Sequence, residues 1–338
     1  MNKDKEKEES LRRALREAEA ELGPDTFEVA VALDELGLFY RGARRLAEAE
    51  KFFRRALQIK EKKLAHCDLE VVWTMEALGR CVREQGRASE AEQYLTRAVQ
   101  LKEDKLGPNH KDVAVALHEL ARCFRQAGRP QEAEERFVRA LDIKMGLGPD
   151  FARSAGVTLH ELGRCARAGG RLQEAEDRFT QALQMKKSGV EGEESLEVAT
   201  TVHELALTML QAKRLEEARD NFEHALRIKR AKLGRDHPQV AVTLHELGRC
   251  MRTKKLLAEA ENFFNEALRI KEAKLPPEHL EATWTLIELG RCVRDAGRMA
   301  EAEDLLKRAL QNQKAKLGDS HASVTWTLIE LSRCVGQE

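Results

Sequence analysis

Eight copies of one short word set the frame of this chain. Leu36, Leu78, Leu120, Leu162, Leu205, Leu247, Leu289 and Leu331 each anchor Leu-Gly-Arg-Cys or a variant of it, at spacings of 42, 42, 42, 43, 42, 42 and 42 residues. A period of this length makes each unit a supersecondary element that buries its apolar face only against its neighbours. The one extra residue falls between Met185 and Leu205, in SGVEGEES, because the helical words on either side keep their register. Loops absorb such insertions at small entropic cost.

Each unit carries two helical stripes. Leu117, Leu120 and Phe124 recur at i, i+3 and i+7, and Ala133, Phe137, Ala140 and Leu141 at i, i+4, i+7 and i+8. Between them lies a Gly-Arg step (Gly86-Arg87, Gly128-Arg129, Gly297-Arg298), suited to a left-handed C-cap. After the second stripe, Gly23-Pro24, Gly107-Pro108, Gly148-Pro149 or Pro276-Pro277 stops the chain, and Asn109 or Asp236 is placed to cap the next helix. The unit is therefore an antiparallel helix pair. With 34% charged and 5% aromatic residues the composition would also suit a long coiled coil. Gly and Pro punctuation recurring between the stripes forbids the unbroken heptads that a coiled coil needs.

These words resemble the tetratricopeptide repeat. Its Leu-x-x-Leu-Gly, then Ala, an aromatic or Leu, and Ala, correspond in the third unit to Leu117, Leu120, Ala121, Ala133, Phe137 and Ala140. The Ala pair is kept from Ala49/Ala56 to Ala302/Ala309, and the Gly slot stays small: Gly37, Gly79, Ala121, Gly163, Ala206, Gly248, Gly290, Ser332. Close helix approach requires both. The 42-residue period and the ending Ala-Leu-x-Ile-Lys-Glu-x-Lys-Leu-Gly-Pro are most similar to the kinesin-light-chain subtype, also found in NB-ARC-type receptor sensor arms. The resemblance implies an all-α fold, an α-solenoid of antiparallel helix pairs wound as a right-handed superhelix. The expected organisation is a disordered tail over 1–9, a half repeat over 10–25, and full repeats over 26–67, 68–109, 110–151, 152–194, 195–236, 237–278 and 279–320. A half repeat over 321–338 closes the array. No polar capping helix is expected at either end, which makes self-association, or a place within a larger signalling ATPase or motor adaptor, an expectation. The heptad segment and the phosphate loop of such proteins do not occur in this sequence.

Catalysis finds no foothold. His118, His160, His203 and His245 each open a His-Glu-Leu word, but the residue four further on is Arg122, Arg164, Leu207 or Arg249 rather than the second His of a zinc site. Six of the seven Cys share one slot, a full repeat apart, too far for a disulfide or a shared metal, and pack as small hydrophobes. Cys67 alone is off phase. No enzyme activity, metal or cofactor is expected. The 58 Lys+Arg balance 58 Asp+Glu, so neither nucleic acid nor an anionic membrane is the expected partner. The charged first ten residues and the lack of a long apolar run point to a cytoplasmic protein.

What remains is a surface. At about 100° per residue, the slots five and two before the anchor Leu, and two and five after it, face away from the core stripe. In a tetratricopeptide superhelix this wall lines the concave groove. The later pair holds Arg80/Arg83, Arg122/Arg125, Arg164/Arg167, Arg249/Arg252, Arg291/Arg294 and Arg333. The earlier pair holds His118, His160, His203 and His245, with Trp73, Trp284 and Trp326 among valines. Arg forks beside apolar surface suit an extended protein segment carrying Asp, Glu or phosphate. The alternative is structural, because Glu fills the slot before the anchor Leu in six units from Glu119 to Glu330, and in all but the fifth it stands three residues before an Arg and can pair with it. In the fifth unit Leu207 and Leu210 replace both Arg, the place for an apolar anchor.

Overall fold

The computed structural model describes residues 2–65, 68–187, 192–276 and 279–335. Its regular elements among those residues are sixteen α-helices and two single 3-10 turns. They fall into two compact units, residues 1–169 and 170–338. The first holds α1 (Asn2–Leu22), α2 (Phe27–Gly42), α3 (Leu46–Lys63), α4 (Leu69–Glu84), α5 (Ala88–Leu106), α6 (Lys111–Gln126), α7 (Pro130–Gly146) and α8 (Ala152–Ala168). The second holds α9 (Leu172–Lys187), α10 (Leu196–Gln211), α11 (Leu215–Leu233), α12 (Pro238–Thr253), α13 (Leu257–Lys274), α14 (Leu280–Asp295), α15 (Met299–Leu317) and α16 (Ala322–Val335).

Even-numbered helices carry the Leu-Gly word and odd-numbered ones the Ala pair. Inside each unit a first helix packs against the second helix of its own repeat and against that of the repeat before. Successive first helices also touch, α2 with α4 and α6 with α8 in one unit, α12 with α14 in the other. No such approach between second helices is seen among the described residues, so the first helices form the tighter wall.

The small slot is where the two helices of a repeat come closest. A Cβ on Gly37 would stand 2.6 Å from the Phe53 ring, one on Gly79 2.9 Å from Leu95, and one on Gly248 2.7 Å from Phe264. Phe53, Phe137, Phe222 and Phe264 are fully buried there, each contributing about 2–3 kcal/mol of apolar burial. Gly86, Gly128 and Gly297 take φ of 88°, 77° and 84°, as a left-handed turn requires. Arg44, Lys213 and Lys255 hold φ of 61°, 61° and 64° at the same point of three other repeats. The Arg that follows the turn is a tie between repeats. Arg129 donates to Glu132 of its own helix at 2.5 Å and to Glu92 of the preceding one at 2.7 Å, and Arg214 joins Glu217 and Glu176 in the same way.

Two expectations are corrected. Residues 2–9 are not a disordered tail but the first turns of α1, where Glu8 accepts from the Tyr40 hydroxyl at 2.5 Å and from Arg45 at 2.9 Å. The caps of α6 and α12 lie one residue beyond Asn109 and Asp236. Nδ1 of His110 accepts from the Asp112 N–H and that of His237 from the Gln239 N–H, both at 3.2 Å. Asp236 pairs instead with Arg269 at 2.6 Å. Cys67 and most of the loop given the extra residue lie outside the described residues; within that loop, 192–194 form one 3-10 turn.

Candidate functional site

The wall of first helices carries the Arg residues in a regular bonding pattern. Four of the Glu residues just before an anchor Leu are held by the Arg three residues on and by the second Arg of the preceding repeat. Glu119 meets Arg122 at 3.5 Å and Arg83 at 3.3 Å, and Glu161 meets Arg164 at 3.5 Å and Arg125 at 3.2 Å. In the second unit Glu288 lies between Arg291 at 2.8 Å and Arg252 at 3.2 Å. Glu330 gathers Arg294 and Arg333, both at 2.6 Å, and Arg291 at 3.4 Å. Arg249 pairs with Glu246 at 2.8 Å, and Arg80 with Glu76. Burial alone would raise the Glu119 carboxyl, yet Arg80, Arg122 and Arg83 hold it below its ordinary value.

The ion-pair arrangement that the sequence left open as an alternative is thus present, and it also fixes the guanidinium groups in place. Arg83 is buried, Arg249 and Arg333 are exposed, and the other groove Arg are half-buried. The charge is uneven along the wall. Arg80 and Arg83 have Glu76 and Glu84 beside them, and Arg252 and Arg294 share Asp295 at 3.1 and 3.2 Å. Over the third and fourth repeats the first helices carry Arg122, Arg125, Arg164 and Arg167, and have Gln126 and Ala168 where the second repeat has Glu84. That stretch holds the positive surplus.

Trp73 and Trp284 are 43% and 40% exposed, with Val115 and Val242 open beside them on the same wall. The Trp284 and Trp326 rings lie 6.4 Å apart, and the Arg291 guanidinium sits 5.4 Å from the Trp326 centroid. Leu207 and Leu210 are half-buried.

The histidines are not on the wall. His118, His160 and His203 are buried at 7% exposure and His245 is nearly so. The expectation that their slot faces outward fails because a first helix here is flanked by two second helices, leaving an open arc narrower than one core stripe suggests. His118 lies edge-on to Phe137 at 5.1 Å, and its Nδ1 is 3.2 Å from the Thr158 hydroxyl of the next repeat. His203 and His245 repeat this with Thr243 at 3.3 Å and Thr285 at 3.1 Å.

Opposite that slot stands a side chain that sequence reasoning passed over. The Lys that follows Ile, Leu or Met near the end of the second helix is buried in six repeats: Lys60, Lys102, Lys144, Lys186, Lys229 and Lys271. Lys144 donates to Thr158 at 2.8 Å, Lys229 to Thr243 at 2.9 Å and Lys271 to Thr285 at 3.0 Å. In the first two repeats the His slot is acidic instead. Lys60 pairs with Asp34 at 2.8 Å and Glu70 at 2.7 Å, and Lys102 with Glu76. In the seventh repeat Ile287 and Gln313 take the two positions. The signal was in the sequence, since acid gives way to His and Lys to Gln in step with the repeat. A Lys at a helix end otherwise reads as solvated.

Burial, then Lys144, drives the His118 ring down to about 3, and burial lowers the Lys144 ammonium to about 8. His245 is likewise lowered to about 3 and Lys229 to about 8, each chiefly by burial. The imidazoles are neutral hydrogen-bonding groups. Burial also pushes the Cys81, Cys123, Cys165, Cys250 and Cys292 thiols up to about 11. The Sγ–H groups of Cys81, Cys123, Cys250 and Cys292 point at backbone carbonyls of the preceding repeat, as Cys123 does to Ala88 at 2.9 Å. Among the described residues no cluster suited to a metal occurs, and no helix is long and apolar enough to cross a membrane.

Tetratricopeptide repeat models match residues 29–65, 70–145, 158–189, 197–273 and 283–323. No curated protein sequence matches the chain. Among solved structures it is similar to kinesin light chain TPR-like repeats from Podosopora anserina, 26% identical with a TM-score of 0.52, covering 62% of this chain and 98% of that one. The apo quorum sensor NprR from B. thuringiensis is 15% identical with a TM-score of 0.70, over 90% of this chain and 81% of that one. A signal transduction ATPase with a tetratricopeptide repeat sensor from Pyrococcus horikoshii is 19% identical with a TM-score of 0.68. It is covered over 45% of its length by 96% of this chain. At these identities the last two show the fold alone.

Proposed function

The chain belongs to the tetratricopeptide repeat family of protein-interaction scaffolds, and we propose that its first-helix wall binds an acidic or phosphorylated segment of a partner protein, centred on the third and fourth repeats. The observation that carries this is the pre-set geometry of Arg122, Arg125 and Arg164 against Glu119 and Glu161, on first helices that have Gln126 and Ala168 where the second repeat has Glu84. Pre-set Arg forks lose less freedom on meeting a carboxylate or phosphate than free ones. Val115 and Trp73 supply open apolar surface next to this stretch; in the second unit, taken by itself, Leu207 and Leu210 are an anchor for an apolar side chain.

The test is fluorescence anisotropy with acidic, phosphorylated, neutral and basic peptides at low and high salt. Acidic or phosphorylated peptides bind, salt weakens them, and the pair Arg122→Gln and Arg164→Gln lowers affinity about tenfold or more. Equal binding of all four classes, or none, removes the reading. A second reading, the sensing arm of a larger signalling protein, draws support from the similarity to the sensor-bearing ATPase, of which this chain covers 45%. It changes what binding is coupled to, not where binding occurs.

A further inference from the structure

The buried contact of the third repeat differs from those of the first two in one respect: its Lys meets no carboxylate. Lys144 Nζ donates to the Thr158 hydroxyl at 2.8 Å and approaches the Ser154 carbonyl at 3.3 Å. Both the Ser154 carbonyl at 3.3 Å and His118 Nδ1 at 3.2 Å lie within reach of that hydroxyl's single hydrogen. The imidazole thus sits one oxygen away from a buried ammonium, a position in which a positive ring would face Lys144 across the hydroxyl. All three side chains are buried.

We propose that the third repeat is an acid-sensitive joint: the contact in which His118 and Lys144 share the Thr158 hydroxyl holds only while the ring is neutral, so mild acidification loosens α6, α7 and α8. The first two repeats, whose buried lysines face Asp34 and Glu76, stay closed.

Every charged group around His118 bears on the sign. Lys144 of α7, Arg80 of α4 and Arg122 of α6 all oppose a positive ring; Glu119 of α6 favours one but is itself held between Arg83 and Arg122. Glu119 also works in the same direction, since its lowered carboxyl loses its contribution as acid protonates it. In the sixth repeat His245 faces Lys271 and Arg249, but burial raises the neighbouring Glu246 carboxyl, so protonation there offsets part of the effect. The third repeat therefore responds to acid more strongly than the sixth. Because Glu119 is next in sequence to His118, opening the joint also disturbs the Arg wall. That consequence for binding rests on the reading above, whereas the opening itself does not.

The experiment is amide hydrogen exchange on the full chain at pH 7.5 and 5.5, corrected for intrinsic rates. A ring that is neutral when folded and has an ordinary value of 6.5 when exposed makes opening about tenfold more frequent at the lower pH. Protection of α6 and α7 should fall by about that factor and that of α2 and α3 should not. His118→Gln, which cannot titrate, should abolish the difference, and His118→Glu, which copies the second repeat, should do the same. Should His118→Glu not fold, His118→Gln decides alone. An unchanged or uniform protection loss in the parent chain overturns the proposal, as does a loss that persists in His118→Gln. Peptide binding enters none of these readouts, so failure of the binding proposal is seen separately.

Discussion

The second and third repeats share a backbone and differ in what they bury. In the second, Lys102 meets Glu76, a pair of opposite charges, and the Thr position opposite is Ala116. In the third, Lys144 meets Thr158 and a neutral His118. The small slot differs too, Gly79 against Leu95 in one and Ala121 near Phe137 in the other. On the wall the second repeat is neutralised by Glu76 and Glu84, whereas the third has Gln126 in the place of Glu84. One fold thus tolerates an ion pair or a neutral hydrogen-bond chain at the same buried point. The choice sets how that point responds to charge.

The largest break comes from Glu76→Ala, which leaves the Lys102 ammonium buried with only the Asp112 carbonyl nearby. It should cost about 3–5 kcal/mol in urea unfolding, and adding Lys102→Met should recover much of that. His118→Ala, losing a ring contact and one hydrogen bond, should cost about 2–3 kcal/mol at pH 7.5. Equal costs for Glu76→Ala and His118→Ala would show that charge pairing does not distinguish the two junctions.

pH sharpens the contrast next. The His118 value is depressed from 6.5 to about 3, so its contribution is complete above 6.5 and is lost as pH falls toward 3. Asp34 in the first repeat has the opposite sign. Burial raises its carboxyl above 3.8, so its contribution is complete below 3.8 and is lost as pH rises through the folded value. Urea midpoints taken from pH 7.5 to 5 should fall in the parent chain and fall less steeply in His118→Gln, where His245 keeps its own share of the dependence.

Gly79→Ala should cost about 1–2 kcal/mol, since the new Cβ would meet Leu95 at 2.9 Å, while Ala121→Gly should change stability by about 1 kcal/mol through backbone freedom alone. Thermal unfolding of both variants checks this, and a Gly79→Ala as stable as its parent would mean that the second repeat relaxes freely. The smallest effect separates both repeats from the fifth, which turns on Lys213 at a φ of 61° where they use Gly86 and Gly128. Lys213→Gly should be stabilising or neutral by up to about 1 kcal/mol, and Gly128→Lys destabilising by a similar amount, read by the same method.

The helix pairs, their turns and the small slots were legible because each is a local rule. Period, Gly at a positive φ and Ala where helices close in are written residue by residue. Placing the Arg on one face of the first helices also followed from phase. The histidines were misplaced because a helical wheel knows one core stripe, and a first helix in this stack has neighbours on two sides. The helical state of residues 2–9 was missed for a related reason: Glu8 is fixed by Tyr40 and Arg45, which lie more than thirty residues away.

By itself the sequence determined the repeat, its helix pairs and the face on which Arg is displayed, since periodicity and backbone sterics act within a few residues. Only the tertiary structure decided which charges are spent on one another and which polar side chains are buried. Glu119 reaches Arg83 from the repeat before, and Lys144 reaches Thr158 in the repeat after. The strength of such contacts depends on burial and on separations of about 3 Å, and both quantities arise only when one repeat is laid against the next.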